Sequence, residues 1–163
     1  MKAVVQRVAE SSVTVDNKVV GEIGTGFTIL LGIVKGDNEE QADLLAGKIA
    51  RLRAFCDAEE KMNLSLSDIH GSVLVISQFT LCADVKKGNR PSFSESADPE
   101  VAKRLYEFFI EKLKSNGISN VQTGIFAAQM TLKIINDGPV TIIYDTDIWL
   151  KDNIRLKSSP GAK

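Results

Sequence analysis

The sequence predicts one α+β (mixed α/β) domain in which a mostly antiparallel sheet is covered by two helices. Three observations carry that prediction. Period-two alternation rich in β-branched residues marks both ends of the chain, in Val4 to Ala9, in Ser12-Val13-Thr14-Val15, and again in MTLKIIN and VTIIYD. Two interior segments instead repeat their apolar residues at helical spacing. The order is therefore strands, helix, strand, helix, strands, with no internal repeat and no composition break to mark a linker. At 163 residues the chain is about one domain long.

Taken in order, Val4, Gln6 and Val8 alternate with Val5, Arg7 and Ala9 as strands do. Asp16-Asn17 marks a turn before KVVGEI, and Gly21, Gly24 and Gly26 punctuate the entry into FTILLGIV, an apolar run short enough to be a strand buried on both faces. These elements predict an antiparallel meander. Asn38-Glu39-Glu40 opens a helix of about four turns, with Ala42, Leu45, Ala46, Ile49, Leu52 and Arg53 at helical spacing and acids placed early, bases late. SVLVISQF follows as a strand, and Ala83 to Ser96 is a loop rich in Lys, Gly, Asn, Pro and Ser. Asp98-Pro99-Glu100 supplies an N-cap and a proline at the first position of a second helix. Its apolar face is Ala102, Leu105, Phe108, Phe109 and Leu113, and it stops near Asn116-Gly117. MTLKIIN and VTIIYD then read as two strands flanking Asn136-Asp137-Gly138-Pro139. The domain spans 1–150, and the tail 151–163 is expected to be frayed. About seven strands under two helices leave sheet surface uncovered, which a ligand site or a second copy would cover; a homodimer is expected.

A composition of 44% hydrophobic and 25% charged residues is that of an ordinary globular protein able to build a sizeable core. A net charge of −1 argues against nonspecific coating of nucleic acid, which needs many Lys and Arg facing phosphates, and leaves room for a local basic patch. Cys56 and Cys82 are too few for a disulfide framework and lack metal-ligand spacing, so both read as buried or idle thiols in a reducing compartment. MKAVVQRVAESSVTV alternates where a signal peptide would carry a basic head and an apolar block. No apolar run approaches the roughly 20 residues of a membrane span, so the expected location is cytoplasmic, with no membrane partner.

The familiar catalytic sets are missing from the sequence. His70, the only histidine, stands beside Gly71 in a turn and reads as solvent-facing rather than as a general base. With no second histidine and no paired cysteines, no metal site is expected. There is no GxGxxG, GxxxxGKS/T or GxSxG. What remains is Ser77-Gln78-Phe79-Thr80, polar residues where a hydrophobic strand runs out, a common place for function. On the plain reading Ser77 and Thr80 cap a turn while Phe79 packs. On the functional reading they wall a pocket, and Thr80 is a nucleophile only if a base such as Asp84 folds close. Lys86, Lys87 and Arg90 concentrate three cations in one loop, either merely solvated or a local phosphate grip.

SQFTL at Ser77–Leu81, KGNRPSF at Lys87–Phe93, TGIFAAQM at Thr123–Met130 and NDGPVT at Asn136–Thr141 form a more specific pattern. Together with QRVAESSVTV and KMNLSLSD, they closely resemble the D-aminoacyl-tRNA deacylases, in the family's order and spacing from Met1 to about Asp145. The resemblance implies a homodimer with a curved sheet or barrel, and a hydrolase of the ester between a D-amino acid, or mischarged glycine, and the terminal adenosine of tRNA. It implies no cofactor. Ser77, Gln78, Phe79 and Thr80 would be the catalytic-pocket residues, with the amide near Phe79 polarising the ester carbonyl. Gly138 and Pro139 of the other subunit, joined by a cis bond and supported by Arg7, would reject L side chains. Phe126 and Met130 would hold the adenine. The tRNA's own 2′-hydroxyl would assist, so no side-chain nucleophile is needed.

Lys86, Lys87 and Arg90 are candidate phosphate contacts on charge alone. Ala127 stands where the family commonly has glycine, and its methyl would narrow the adenine side. Three other readings compete: a related pocket with a trans Gly-Pro that removes L-alanine from tRNA, a noncatalytic DNA- or RNA-binding module, and a dimer without a ligand. Near-neutral charge speaks against broad duplex binding, and the resemblance implies the acceptor end of tRNA as partner, with no DNA expected.

Overall fold

The alternation at the start of the chain runs unbroken through Lys2–Val15, which in the computed structural model of the protein forms one 14-residue strand, β1. The structure describes residues 1–149, and the tail expected at 151–163 lies outside them. Asp16 and Asn17 turn the chain with φ of 48° and 60°, left-handed values that Asp and Asn tolerate and a two-residue hairpin favours. β2 (Lys18–Ile23) then returns antiparallel along the second half of β1. β3 (Gly26–Gly32) corrects the expected meander, because it pairs with β1 and not with β2, from Val8 opposite Gly26 to Lys2 opposite Gly32. β1 is long enough to seat β2 and β3 one after the other on the same edge.

The opposite edge of β1 belongs to one strand where two were expected. β8 (Thr131–Asp145) runs antiparallel to β1 along nearly its whole length. Asn136-Asp137-Gly138-Pro139 is therefore no hairpin turn. The register jumps from Gln6 opposite Thr141 to Val8 opposite Asn136, so residues 137–140 bulge out against the single residue Arg7. A bulge is a place in a sheet where the missing N–H of proline does no harm.

Beyond β3 the sheet turns parallel. β6 (Ser72–Ser77) lies parallel to β3, and β7 (Val121–Thr123) parallel to β6. A small hairpin, β4 (Phe55–Cys56) with β5 (Met62–Leu64), stands apart. Strands of two or three residues are too short for alternation to announce them.

Helix α1 (Glu39–Ala50) opens on a capping box. The Asn38 side chain accepts from the amides of Glu40 and Gln41, and the Gln41 side chain accepts from the Asn38 amide at 2.7 Å. The helix ends two residues before the expected Leu52 and Arg53. There the Arg53 guanidinium reaches across to Asn63 O at 2.6 Å, and Phe55 enters β4. Helix α2 (Pro99–Ser115) begins and ends where expected, although the Asp98 side chain makes no cap hydrogen bond. Ion pairs Arg104–Glu39 and Lys112–Asp43 (3.2 Å) link the two helices.

Two apolar clusters result. The larger joins Val5, Phe27, Ile29 and Val75 of the sheet to Leu45 and Ile49 of α1 and to Leu105, Phe109 and Leu113 of α2. The smaller, Val8, Val13, Ile23, Leu74 and Ile76, fills the other face, where the sheet curls into a nearly closed barrel. β3 and β6 are thus covered on both sides, which is why their sequences read as continuous apolar runs. No helix among the described residues is long and apolar enough to cross a membrane.

Candidate functional site

The apolar run of β6 stops at Ser77, the last residue paired with β3, and Gln78 closes the strand by donating its amide to Leu31 O at 2.8 Å. Phe79–Cys82 then makes one turn of 3₁₀ helix whose first amides receive no side-chain cap. A cavity of about 480 Å³ opens at this strand end. Ser77, Gln78 and Phe79 form one wall, Pro99 and Ala102 at the start of α2 another, and Phe126, Ala127 and Met130 a third. Its polar side chains are Ser77, Gln78 and Ser96, and no ionisable side chain lines it. Such a lining offers shape and hydrogen-bonding groups to a ligand.

The third wall is held by a residue that the sequence reading missed. Tyr106 of α2 is buried, its hydroxyl donates to Val75 O at 2.8 Å, and its ring lies 5.7 Å from that of Phe126. The same carbonyl accepts the amide of Gly124 at 3.3 Å, so α2, β6 and the loop after β7 meet at one atom. Burial pushes the Tyr106 phenol far up, which keeps it a donor. At Gly124 a Cβ would stand 2.5 Å from the Met130 sulfur. Glycine there lets Met130 fold over the strand end. Ala127 has φ of 63°, a left-handed value that explains why glycine suits this position.

Thr80 is exposed, accepts a hydrogen bond from the Gln78 amide group, and does not line the cavity. Asp84, the base considered for it, instead accepts the Lys86 amide at 2.8 Å. Lys86, Lys87 and Arg90 are exposed on a loop closed at its base by paired backbone bonds between Asp84 and Ser92, of 2.8 and 2.9 Å. That loop returns to the cavity mouth through Phe93, whose ring meets Phe79 edge-on at 5.0 Å.

Arg7, Gly138 and Pro139 form a second cluster. Arg7 is buried beneath the bulge and donates to Ala54 O at 2.6 Å and Asp137 O at 3.0 Å, with the Asp137 carboxylate 3.1 Å from Nε. Gly138 has φ of 121°, and a Cβ there would stand 2.8 Å from the guanidinium. The Gly138-Pro139 peptide bond is cis, and both residues are exposed and outside the cavity of their own chain. Arg7 therefore supports the motif from within the same chain.

Of the remaining candidates, His70 is exposed in a turn with φ of 51°. Cys82 is buried, and burial pushes its thiol above the ordinary value, whereas Cys56 is exposed. No group of three or more His, Cys, Asp or Glu among the described residues could hold a metal ion.

The family described as D-Tyr-tRNA(Tyr) deacylase matches residues 4–145. A D-aminoacyl-tRNA deacylase of Persephonella marina is 58% identical over 146 residues, covering 90% of this chain and 98% of the relative. The corresponding protein of Fervidobacterium nodosum is 56% identical, covering 90% and 97%. A solved structure described as c-Myc DNA Unwinding Element Binding Protein is 41% identical with a TM-score of 0.84, covering 89% of this chain and 98% of its own. Another, of a probable eukaryotic D-amino acid tRNA deacylase, shares the fold at 18% identity and a TM-score of 0.75, covering 88% and 97%. This chain belongs to the D-Tyr-tRNA(Tyr) deacylase family.

Proposed function

We propose that the protein hydrolyses the ester linking a D-amino acid, or mischarged glycine, to the terminal adenosine of tRNA. The observation that carries this reading is the cavity at the end of β6, where Ser77, Gln78 and Phe79 face Phe126 and Met130. In this reading the aminoacyl group lies along the first set and the adenine against the second. The amide of Phe79, at the uncapped start of the 3₁₀ turn, points its N–H toward the ester carbonyl and stabilises the developing oxyanion.

With no ionisable side chain in the cavity wall, the help given to the attacking water comes from the substrate. The terminal 2′-hydroxyl assists a water molecule that attacks the ester carbonyl. The C–O bond to the ribose breaks, the amino acid leaves as the free acid and the ribose oxygen takes up the proton; the protein contributes position and carbonyl polarisation. Thr80 lies outside the cavity wall and steadies Gln78. Chirality is set by a second copy of the chain, whose exposed Gly138 and Pro139, backed by Arg7, close the pocket against L side chains. Exposure of the bulge and its firm anchoring support that assignment. The homodimer and a cytoplasmic location belong to the same proposal.

A tRNA ending in 2′-deoxyadenosine tests the chemistry. It should bind normally yet be deacylated far more slowly, and normal turnover would refute hydroxyl assistance. A second reading, DNA binding without catalysis, is favoured by the description of the 41% identical structure. The net charge of −1 and the intact cavity weigh against it.

A further inference from the structure

We propose that Phe93 and the basic loop bind the unpaired RNA nucleotide that precedes the terminal adenosine, with its base stacked on Phe93 and its phosphates facing Lys86, Lys87 and Arg90. The inference rests on the deacylase reading and extends it beyond the pocket. Phe79 and Phe93 are 56% and 37% exposed at the cavity mouth, an unusual surface position for two phenylalanines in edge-on contact. Phe79 belongs to the cavity wall, whereas Phe93 lies outside it. Packing of the core therefore does not account for Phe93.

The three cations make no salt bridge among the described residues, although Lys and Arg elsewhere in the chain commonly do. Their loop is held rather than loose at its base. Asp84 and Ser92 exchange both backbone bonds, Lys35 donates its amide to Glu95 O at 2.9 Å, and Ala97 donates to Ile33 O at 3.0 Å. Phe93 thereby stands against Phe79 beside the mouth, at the foot of a loop on which the three cations are exposed. An exposed aromatic platform beside unpaired cations is what a protein uses to hold single-stranded nucleic acid. The RNA leaving a pocket that holds the terminal adenosine is such a strand, and its next phosphate lies about one nucleotide away.

The test compares two D-tyrosyl esters, one on full tRNA and one on free adenosine, which lacks every other nucleotide. Phe93→Leu should lower kcat/KM on the tRNA about tenfold, the size of one lost base stack, and change turnover of the adenosine ester less than twofold. Phe93→Tyr should restore the tRNA activity. Replacing Lys86, Lys87 and Arg90 together by Ala should flatten the salt dependence on tRNA and leave the adenosine ester unaffected. Equal losses on both esters would overturn the proposal, because Phe93 would then be shaping the pocket itself; so would no loss on either. Wild-type protein inert toward both esters would overturn the deacylase reading, and this inference with it.

Discussion

Replacing Arg7 by Lys should loosen the bulge that carries Gly138 and Pro139. Arg7 joins two places far apart in sequence, donating from different nitrogens to Ala54 O and to Asp137 O. Lysine offers one compact ammonium in place of a fork and can reach only one of them. The side chain of Asp137 is 54% exposed, so the ion pair itself contributes little. The loss is then one charge-assisted hydrogen bond, with a part-buried carbonyl left unpaired, about 2–3 kcal/mol. For a chain of this size that corresponds to a fall in Tm of about 5–10 °C.

Thermal unfolding at fixed protein concentration measures the fall, and fixing the concentration keeps any oligomerisation constant. Deacylation of D- and L-tyrosyl-tRNA at a temperature well below either Tm then reads the motif. Activity on the D ester should fall and discrimination should narrow, because the loosened bulge no longer presents a fixed surface. A Tm within about 1 °C of the parent, with discrimination intact, would refute the anchoring role.

Other predictions address the site wall, its strained position and its thiols. Thr80→Ala should keep substantial deacylation, since the hydroxyl contacts Gln78 outside the cavity; complete loss in a folded protein would reinstate Thr80 as a nucleophile. Ala127→Gly relieves a left-handed φ of 63° but gives up unfolded-state restriction, for a net gain of up to about 1 kcal/mol by urea denaturation. A clear loss of stability would contradict the assigned backbone cost. With a thiol-specific reagent at pH 8, exposed Cys56 should react promptly. Buried Cys82, whose raised pKa leaves less thiolate, should wait for unfolding and quicken as pH rises. Equal rates for the two would argue against the burial described.

Much of the scaffold was legible because its signals are local. β1 carries its alternation in its own sequence, Asp16-Asn17 is a self-contained turn, and Asn38-Glu39-Glu40 marks the start of α1 within three residues. β8 misled because Gly-Pro punctuates a strand in the same way whether it makes a turn or a bulge. The choice was made by Arg7, 130 positions away, and by β1 continuing past it. Tyr106 was hidden in the apolar face of α2, where nothing in sequence separates a core tyrosine from one that supports a binding wall.

The candidate site was legible through family resemblance and not through chemistry. Ser77, Gln78, Phe79, Phe126 and Met130 include no titratable group, so the usual search for acids, bases and metal ligands passes over them. The structure brings those five together, keeps Thr80 and the basic loop at the rim, and sets Gly138 and Pro139 on a separate bulge. The second copy of the chain enters the proposed mechanism through the family resemblance, and the separation leaves the motif free for that role.

The most direct test of the central claim is amino-acid release from D-tyrosyl-tRNA and L-tyrosyl-tRNA, measured side by side with the purified protein. Hydrolysis of the D ester with the L ester left intact is the predicted result. Hydrolysis of neither by folded protein, or of both at comparable rates, would contradict the account.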